Sequence, residues 1–288
     1  FRDVVMKTDC SATQAPTRGD SVTYGELDLD PIDVPQLLDL PDKADLGEKL
    51  SSLEVMINQA TNNGLPPESV PTLRQLVHDF EDIWSSSLQA GPPANVPPLV
   101  INLRSDAVPV RVRSRCYSQD KRDFLARFVA QLEAAGMIYR NPRAAWCSAP
   151  LLVPKPGPAQ FRFTVDLWPL NKQAVPCSCP MPHVESELGR LRGATCFASF
   201  DLSHGYWQLP LATESQECQS FITPDGVFTP TRVLHGTTNA VTHMQAVLSK
   251  GFIPLHGQLL AWLDDLCFTQ HTQTIYLVTY RNSANYVG

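Results

Sequence analysis

Apolar residues recur at helical spacing in three long stretches of this chain and at strand spacing in much of the rest. Leu46, Leu50, Leu53, Val55 and Ile57 give residues 44–62 a partial apolar face. Leu73, Leu76, Val77, Phe80 and Ile83 do the same over residues 67–84, where Pro67, Glu68 and Ser69 suit a helix start. The clearest helix opens at Ser118-Gln119-Asp120 and carries a stripe of Phe124, Phe128, Leu132 and Ala135 up to Gly136, a C-terminal stop. Before it, residues 99–115 read as extended, with Val108, Val110 and Val112 alternating against Pro109, Arg111 and Arg113. After it come short strands. Residues 149–153 and 161–165 form a predicted hairpin about a Pro/Gly turn, and 218–223 and 227–233 form another about Pro224-Asp225-Gly226. Residues 196–201 read as a buried strand, 259–263 and 266–268 as a third hairpin, and 183–192 and 238–252 as helices. The pattern predicts an α+β architecture, helices packed on antiparallel strands, without an internal repeat.

Composition divides this pattern. The 25 prolines concentrate in connections. Residues 1–42 are polar, acidic and broken by Pro16, Pro31, Pro35 and Pro41, which predicts a mostly extended or disordered linker. The break at Gly91-Pro92-Pro93 and Pro97-Pro98 marks a boundary. The expected division is an acidic leader with two helices (1–97), a basic segment (98–193), an acidic segment (194–268) and a divergent tail (269–288). The net charge of −6 hides this arrangement. Residues 1–97 hold 6 Lys/Arg against 16 Asp/Glu, residues 98–193 hold 14 against 7, and residues 194–288 hold 3 against 6. A basic middle fits a polyanion partner bound in a salt-dependent way, although a plain solvated surface has the same composition.

No stretch reaches the roughly 18 apolar residues that span a bilayer, so no membrane partner is expected. The N-terminus lacks the pattern of a secretory signal. The eight cysteines fall into no zinc-finger spacing and read as reduced thiols. Together these features predict an intracellular protein, in the cytoplasm or nucleus, that is not secreted. Phe1 in place of Met fits a piece of a longer reading frame.

The run from Gln258 to Phe268 sets Asp264 and Asp265 side by side among apolar residues. Burying neighbouring carboxylates without a partner costs several kcal/mol or more. The pair therefore sits on an exposed turn or faces something positive, and hard divalent cations take carboxylate oxygens. Asp201 ends the strand at 196–201, and Asp166 ends the one at 161–165. Acids at strand ends can converge at one edge of a sheet. In phosphoryl transfer two divalent ions, ~3.5–4 Å apart, clamp the attacking and leaving oxygens. Asp201, Asp264 and Asp265 would suffice to hold them. Spacing alone also admits an exposed Asp-Asp turn with Asp201 as a helix cap.

Five motifs in order add to this reading. They are Ala149-Pro150-Leu151-Leu152-Val153-Pro154-Lys155; Phe161-Arg162-Phe163-Thr164-Val165-Asp166 with Leu170-Asn171-Lys172; Phe200-Asp201-Leu202-Ser203-His204-Gly205-Tyr206-Trp207-Gln208-Leu209; Gly236-Thr237-Thr238-Asn239-Ala240; and Trp262-Leu263-Asp264-Asp265. Residues 108–268 resemble the fingers and palm of a reverse transcriptase, most similar to the gypsy-type LTR retrotransposon family. The resemblance implies a right-hand polymerase fold with an antiparallel palm sheet packed on helices. It implies RNA-directed DNA polymerase activity by two-metal nucleotidyl transfer, with two Mg²⁺ (or Mn²⁺) held by Asp201, Asp264 and Asp265 and a ligand from the Leu202 carbonyl. Tyr206 would pack under the sugar and select deoxynucleotides, and Arg162 and Lys155 would hold the triphosphate. The implied partners are a primed RNA or DNA template, dNTPs and, if the reading frame continues, the protease, ribonuclease H and integrase of a polyprotein.

The pattern also departs from that family. Trp168 stands where an Arg is usual. His235 and Thr237 interrupt an apolar loop, Val241 replaces Pro, Met244 replaces Phe, and Trp262 replaces Tyr. The last twenty residues do not resemble the family's next segment, so the expectation is a chain truncated after the Asp-Asp box, with the thumb absent. The alternative is an inactive remnant that keeps the fold and, at most, nucleic-acid binding.

Overall fold

The computed structural model describes residues 4–7, 45–80, 83, 90–154, 161–177, 183–194, 196–255 and 257–270. Through them run β1 (Val4–Lys7), α1 (Asp45–Asn62), α2 (Val70–Asp79), α3 (Gln119–Ala134), β2 (Ile138–Arg140), β3 (Pro150–Pro154), β4 (Phe161–Val165), α4 (Trp168–Asn171) and α5 (Val184–Arg190). There follow β5 (Cys196–Leu202), α6 (Gly205–Gln208), α7 (Thr213–Gln216), β6 (Phe221–Thr223), β7 (Gly226–Pro230), α8 (Ala240–Gly251), β8 (Leu259–Trp262) and β9 (Asp265–Gln270). The strands pair antiparallel in three sheets, ordered β1-β5-β9-β8, β2-β7-β6 and β3-β4. The α+β architecture expected from the sequence is present, but the hairpin predicted over 218–233 is shorter: Glu217–Gln219 wind into a 3₁₀ turn, leaving strand only at Phe221–Thr223 and Gly226–Pro230.

The helices form where the apolar stripes predict them. Leu53 and Ile57 of α1 and Leu73 and Val77 of α2 are buried. Val55 is not: it is 61% exposed, because two residues along a helix is about 200° of rotation from both Leu53 and Ile57. In α3 the ring of Phe124 stacks on Phe128, and a series of ring contacts continues from there. Phe128 meets Phe163 of β4 at 4.7 Å, Phe163 meets Phe221 of β6 at 5.4 Å, and Phe221 meets Phe228 of β7 at 6.0 Å. This aromatic seam joins the small hairpin β3–β4 to the β2-β7-β6 sheet.

Two features were not visible in the pattern. Val4–Lys7 lies within the expected linker, yet it forms an edge strand whose Val5 is the partner of Asp201. Three β-prone residues, Val4, Val5 and Met6, meet the otherwise open edge of β5. The short helices α6 and α7 are single turns, too brief for any periodicity to announce. The remainder of the expected linker, the turn after Pro154 with Lys155, and the tail beyond Gln270 lie outside the described residues. No helix among the described residues is long and apolar enough to cross a membrane. The described Cys116, Cys147, Cys177, Cys218 and Cys267 are free thiols.

Candidate active site

Strand alternation delivers the first acid. In β5, Phe200 and Leu202 point into the core, and Asp201 between them faces the other way, only half-buried. The ladder to β9 sets Asp201 directly opposite Asp265. Cross-strand partners share a face with Cα atoms ~4.5–5.5 Å apart, so these two carboxylates emerge side by side. Asp264 is the second residue of the two-residue loop joining β8 to β9, after Leu263, whose φ is 56°. Its carbonyl accepts a hydrogen bond from the Leu202 N–H at 2.8 Å. The backbone thereby brings together all three acids singled out in the sequence.

The chain then turns sharply away from Asp201. His204 takes a left-handed conformation (φ 51°), and Gly205 follows. A Cβ on Gly205 would lie 2.6 Å from Met244 Cε and 3.8 Å from Asp264 Cβ. The absence of a side chain lets this turn close against both. Met244, unusual for the resemblance, is fully buried and fills this space. Tyr206 is buried in α6, its ring edge-on to His235 at 5.1 Å. Burial, reinforced by the nearby Asp264 charge, pushes the Tyr206 phenol up to about 12, so it stays neutral.

Electrostatics single out Asp264. Burial raises the Asp264 carboxyl above its ordinary range, and the Asp265 charge adds to this, while its own backbone hydrogen bond and His235 act against it. Partial desolvation lowers His235, opposed by the Asp264 charge. The folded protein thus holds the Asp264 proton more tightly than the unfolded chain does. Ionised Asp264 costs stability above its folded pKa, and the cost vanishes as pH falls to the ordinary carboxylate value near ~4. Asp264→Asn is therefore expected to melt higher than the wild type at pH 7 without metal, and to lose that advantage near pH ~4. Thermal melts of both proteins across this range check it.

The residues fit a hard divalent ion. Two carboxylates aligned across a ladder repel unless a cation separates them, and oxygen donors are what Mg²⁺ takes. Among the described residues no group of three His, Cys, Asp or Glu side chains forms a ready-made cage. That agrees with Mg²⁺, which usually takes one or two carboxylates and completes its shell with substrate phosphates and water.

The loop before α8 lies beside this site and is held by three side-chain amides, two of them (Asn171 and Asn239) within the sequence motifs and the third, Gln219, outside them. Asn171 donates to the Gly236 carbonyl at 2.8 Å and accepts from Thr238 N–H at 3.0 Å. Gln219, fully buried, donates to Thr237 Oγ1 at 2.9 Å and accepts from Leu234 N–H at 3.0 Å. Asn239 bonds the backbone of Val175 and Cys177. Thr237, which interrupts an apolar loop, is therefore the buried partner of Gln219. Gln219→Leu, which strands the buried Leu234 amide while the Thr237 hydroxyl keeps its bond to the Leu234 carbonyl, is expected to cost about 1–3 kcal/mol by urea unfolding.

The other candidates stand elsewhere. Arg162 lies on β4 opposite Val153, on a sheet separate from the acids. Lys155 is outside the described residues. Asp166 is not drawn to the triad; it pairs with Arg115 at 2.8 Å. Trp168 is 61% exposed and carries the Lys172 ammonium 3.7 Å from its ring centroid.

Residues 153–282 match the family model of reverse transcriptase (RNA-dependent DNA polymerase). The match continues past Asp264 and Asp265, whereas the resemblance read from the sequence ended at Phe268. The chain is 28% identical to the Gag-Pol polyprotein of avian reticuloendotheliosis virus over 75% of its length and 20% of that protein's. It is 29% identical to the gibbon ape leukemia virus Gag-Pol polyprotein over 69% of its length and 12% of the relative's. It is 28% identical to the Pol polyprotein from transposon 297 of Drosophila melanogaster over 52% of its length and 15% of the relative's. The chain thus spans a fifth or less of these relatives. The foamy viral protease-reverse transcriptase in complex with an RNA/DNA hybrid superposes with a TM-score of 0.69 at 21% identity, over 83% of this chain and 31% of the other. The fold likeness, the three acids in one corner of the sheet and the family match agree: over residues 153–282 the chain is similar to the reverse transcriptase domain of retroviral and retrotransposon Pol polyproteins.

Proposed function

We propose that this chain is the fingers and palm of a gypsy-type RNA-directed DNA polymerase that adds dNTPs to a primer 3′-hydroxyl. The observation that carries the reading is the cross-strand pairing of Asp201 with Asp265, with Asp264 tied to the same corner. In this reading Asp201, Asp264 and Asp265 hold two Mg²⁺, or Mn²⁺, with the Leu202 carbonyl as a further ligand. Such ions lower the pKa of the attacking hydroxyl and neutralise charge on the reacting phosphate. Tyr206, neutral and packed, forms the floor under the sugar. Arg162, and Lys155 beyond the described residues, take the triphosphate from the fingers side. Residues 98–193 supply the fingers and their positive charge, residues 194–268 the palm, and residues 1–97 a leader. The template is a primed RNA or DNA, and the remaining polyprotein domains are the covalent partners. The site of action is intracellular.

Primer extension tests it: a primed RNA template, dNTPs and Mg²⁺, with the Asp264→Asn/Asp265→Asn double variant as control. Extension that disappears in the control supports the polymerase. A folded wild type that extends nothing yet retains the hybrid points to the remnant alternative. Tyr206→Ala is further expected to weaken discrimination against ribonucleotides by about tenfold or more, read as the ratio of kcat/KM for dNTP and rNTP.

A further inference from the structure

We infer that Gln245 is a positioning residue that sets the acid-bearing turn. The inference rests on the polymerase reading for its functional consequence. Gln245 lies on α8 and is 2% exposed. Its side-chain amide grips both sides of Trp262: Nε2 donates to the Ala261 carbonyl at 2.9 Å, and Oε1 accepts from the Leu263 N–H at 3.0 Å. It also reaches Ser249 Oγ at 3.3 Å, one turn along its own helix. Because β8 is the edge strand of its sheet, these two backbone groups point away from β9. The Gln245 amide takes the place that a neighbouring strand's peptide would fill.

The grip matters because of what it holds. Leu263 adopts φ 56° at a hairpin position that favours glycine, so a non-glycine residue there is strained. Such a conformation persists only where the surroundings over-determine it. The next residue is Asp264, whose carbonyl receives the Leu202 N–H. Fixing Leu263 therefore fixes the offset of Asp264 and Asp265 from Asp201. The residue before Gln245, Met244, packs where Gly205 turns away from Asp201. One helical turn of α8 thus contacts both acid-bearing segments.

The test compares Gln245→Met, which keeps shape and loses both bonds, with Gln245→Glu, which keeps the acceptor for Leu263. Leu248→Ala, a buried truncation on the same helix, controls for lost stability. Two quantities are read: hydrogen exchange at the Leu263 amide relative to global unfolding, and Mn²⁺ affinity by electron paramagnetic resonance. Gln245→Met is expected to lose Leu263 protection and to bind Mn²⁺ about tenfold more weakly, as supporting residues around metals typically do. Gln245→Glu keeps most of the protection, and Leu248→Ala melts lower with Mn²⁺ affinity unchanged. Unchanged protection or unchanged affinity in Gln245→Met overturns the inference. If the wild type itself binds no Mn²⁺, the polymerase reading fails, and Leu263 exchange alone decides whether Gln245 holds the turn.

Discussion

Asp265→Asn is expected to reduce primer extension by on the order of 10³-fold or more, about 4 kcal/mol of transition-state stabilisation, while the protein stays folded. Asp265 faces Asp201 across the β5–β9 ladder, so the substitution removes half of the paired charge without altering side-chain volume. It also removes a like-charge contact, so the melting temperature should hold or rise slightly in the absence of metal. On the two-metal reading the order should reverse with Mg²⁺, because the wild type would gain more stability than the variant by binding the ion in the folded state. Parallel extension assays and thermal melts, with and without Mg²⁺, separate this outcome from simple unfolding. A variant that melts early and loses activity in proportion would mean that Asp265 is structural.

Phe221→Ala is expected to destabilise the protein by about 3–5 kcal/mol, among the largest costs of any single truncation here. Its side chain is fully buried. It is also the ring shared by the two halves of the aromatic seam, edge-on to Phe163 in the hairpin β3–β4 and stacked on Phe228, its partner in its own sheet. Removing it leaves a cavity that neither rigid strand pair can collapse to fill. Urea unfolding measures the loss, and a cost below about 1 kcal/mol would show that the seam does not couple the two units. Phe221→Leu should recover more than half.

Much of this was legible in the chain. The helix α3 was readable because its Phe and Leu residues recur at helical spacing, and β6–β7 because Pro224-Asp225-Gly226 can only be a turn. The acids were findable because carboxylates beside strand-type apolar runs contradict burial. Their convergence was not: register between β5 and β9 depends on pairing that no local pattern encodes. The same limit hid Gln245 and Gln219. Each is an ordinary polar residue in sequence, and its meaning comes from a backbone amide supplied by a distant segment. Asp166 shows the converse. It shares the strand-end position of Asp201, but Arg115 stands beside it and takes its charge. The leader strand β1 escaped notice because four residues inside a polar, proline-broken region carry too little pattern to weigh.

The β5–β9 pairing also bears on how the protein acquires its competence over time. The hairpin β8–β9 is local and can zip within microseconds of leaving the unfolded ensemble. The pairing of Asp201 with Asp265 joins residues more than sixty positions apart, so it must wait for a slow, non-local docking step. Until that step the chain holds two carboxylates on a turn and a third elsewhere, with no site between them. Metal affinity should therefore appear abruptly and late in refolding, which makes the ion a reporter of completed folding rather than a seed for it.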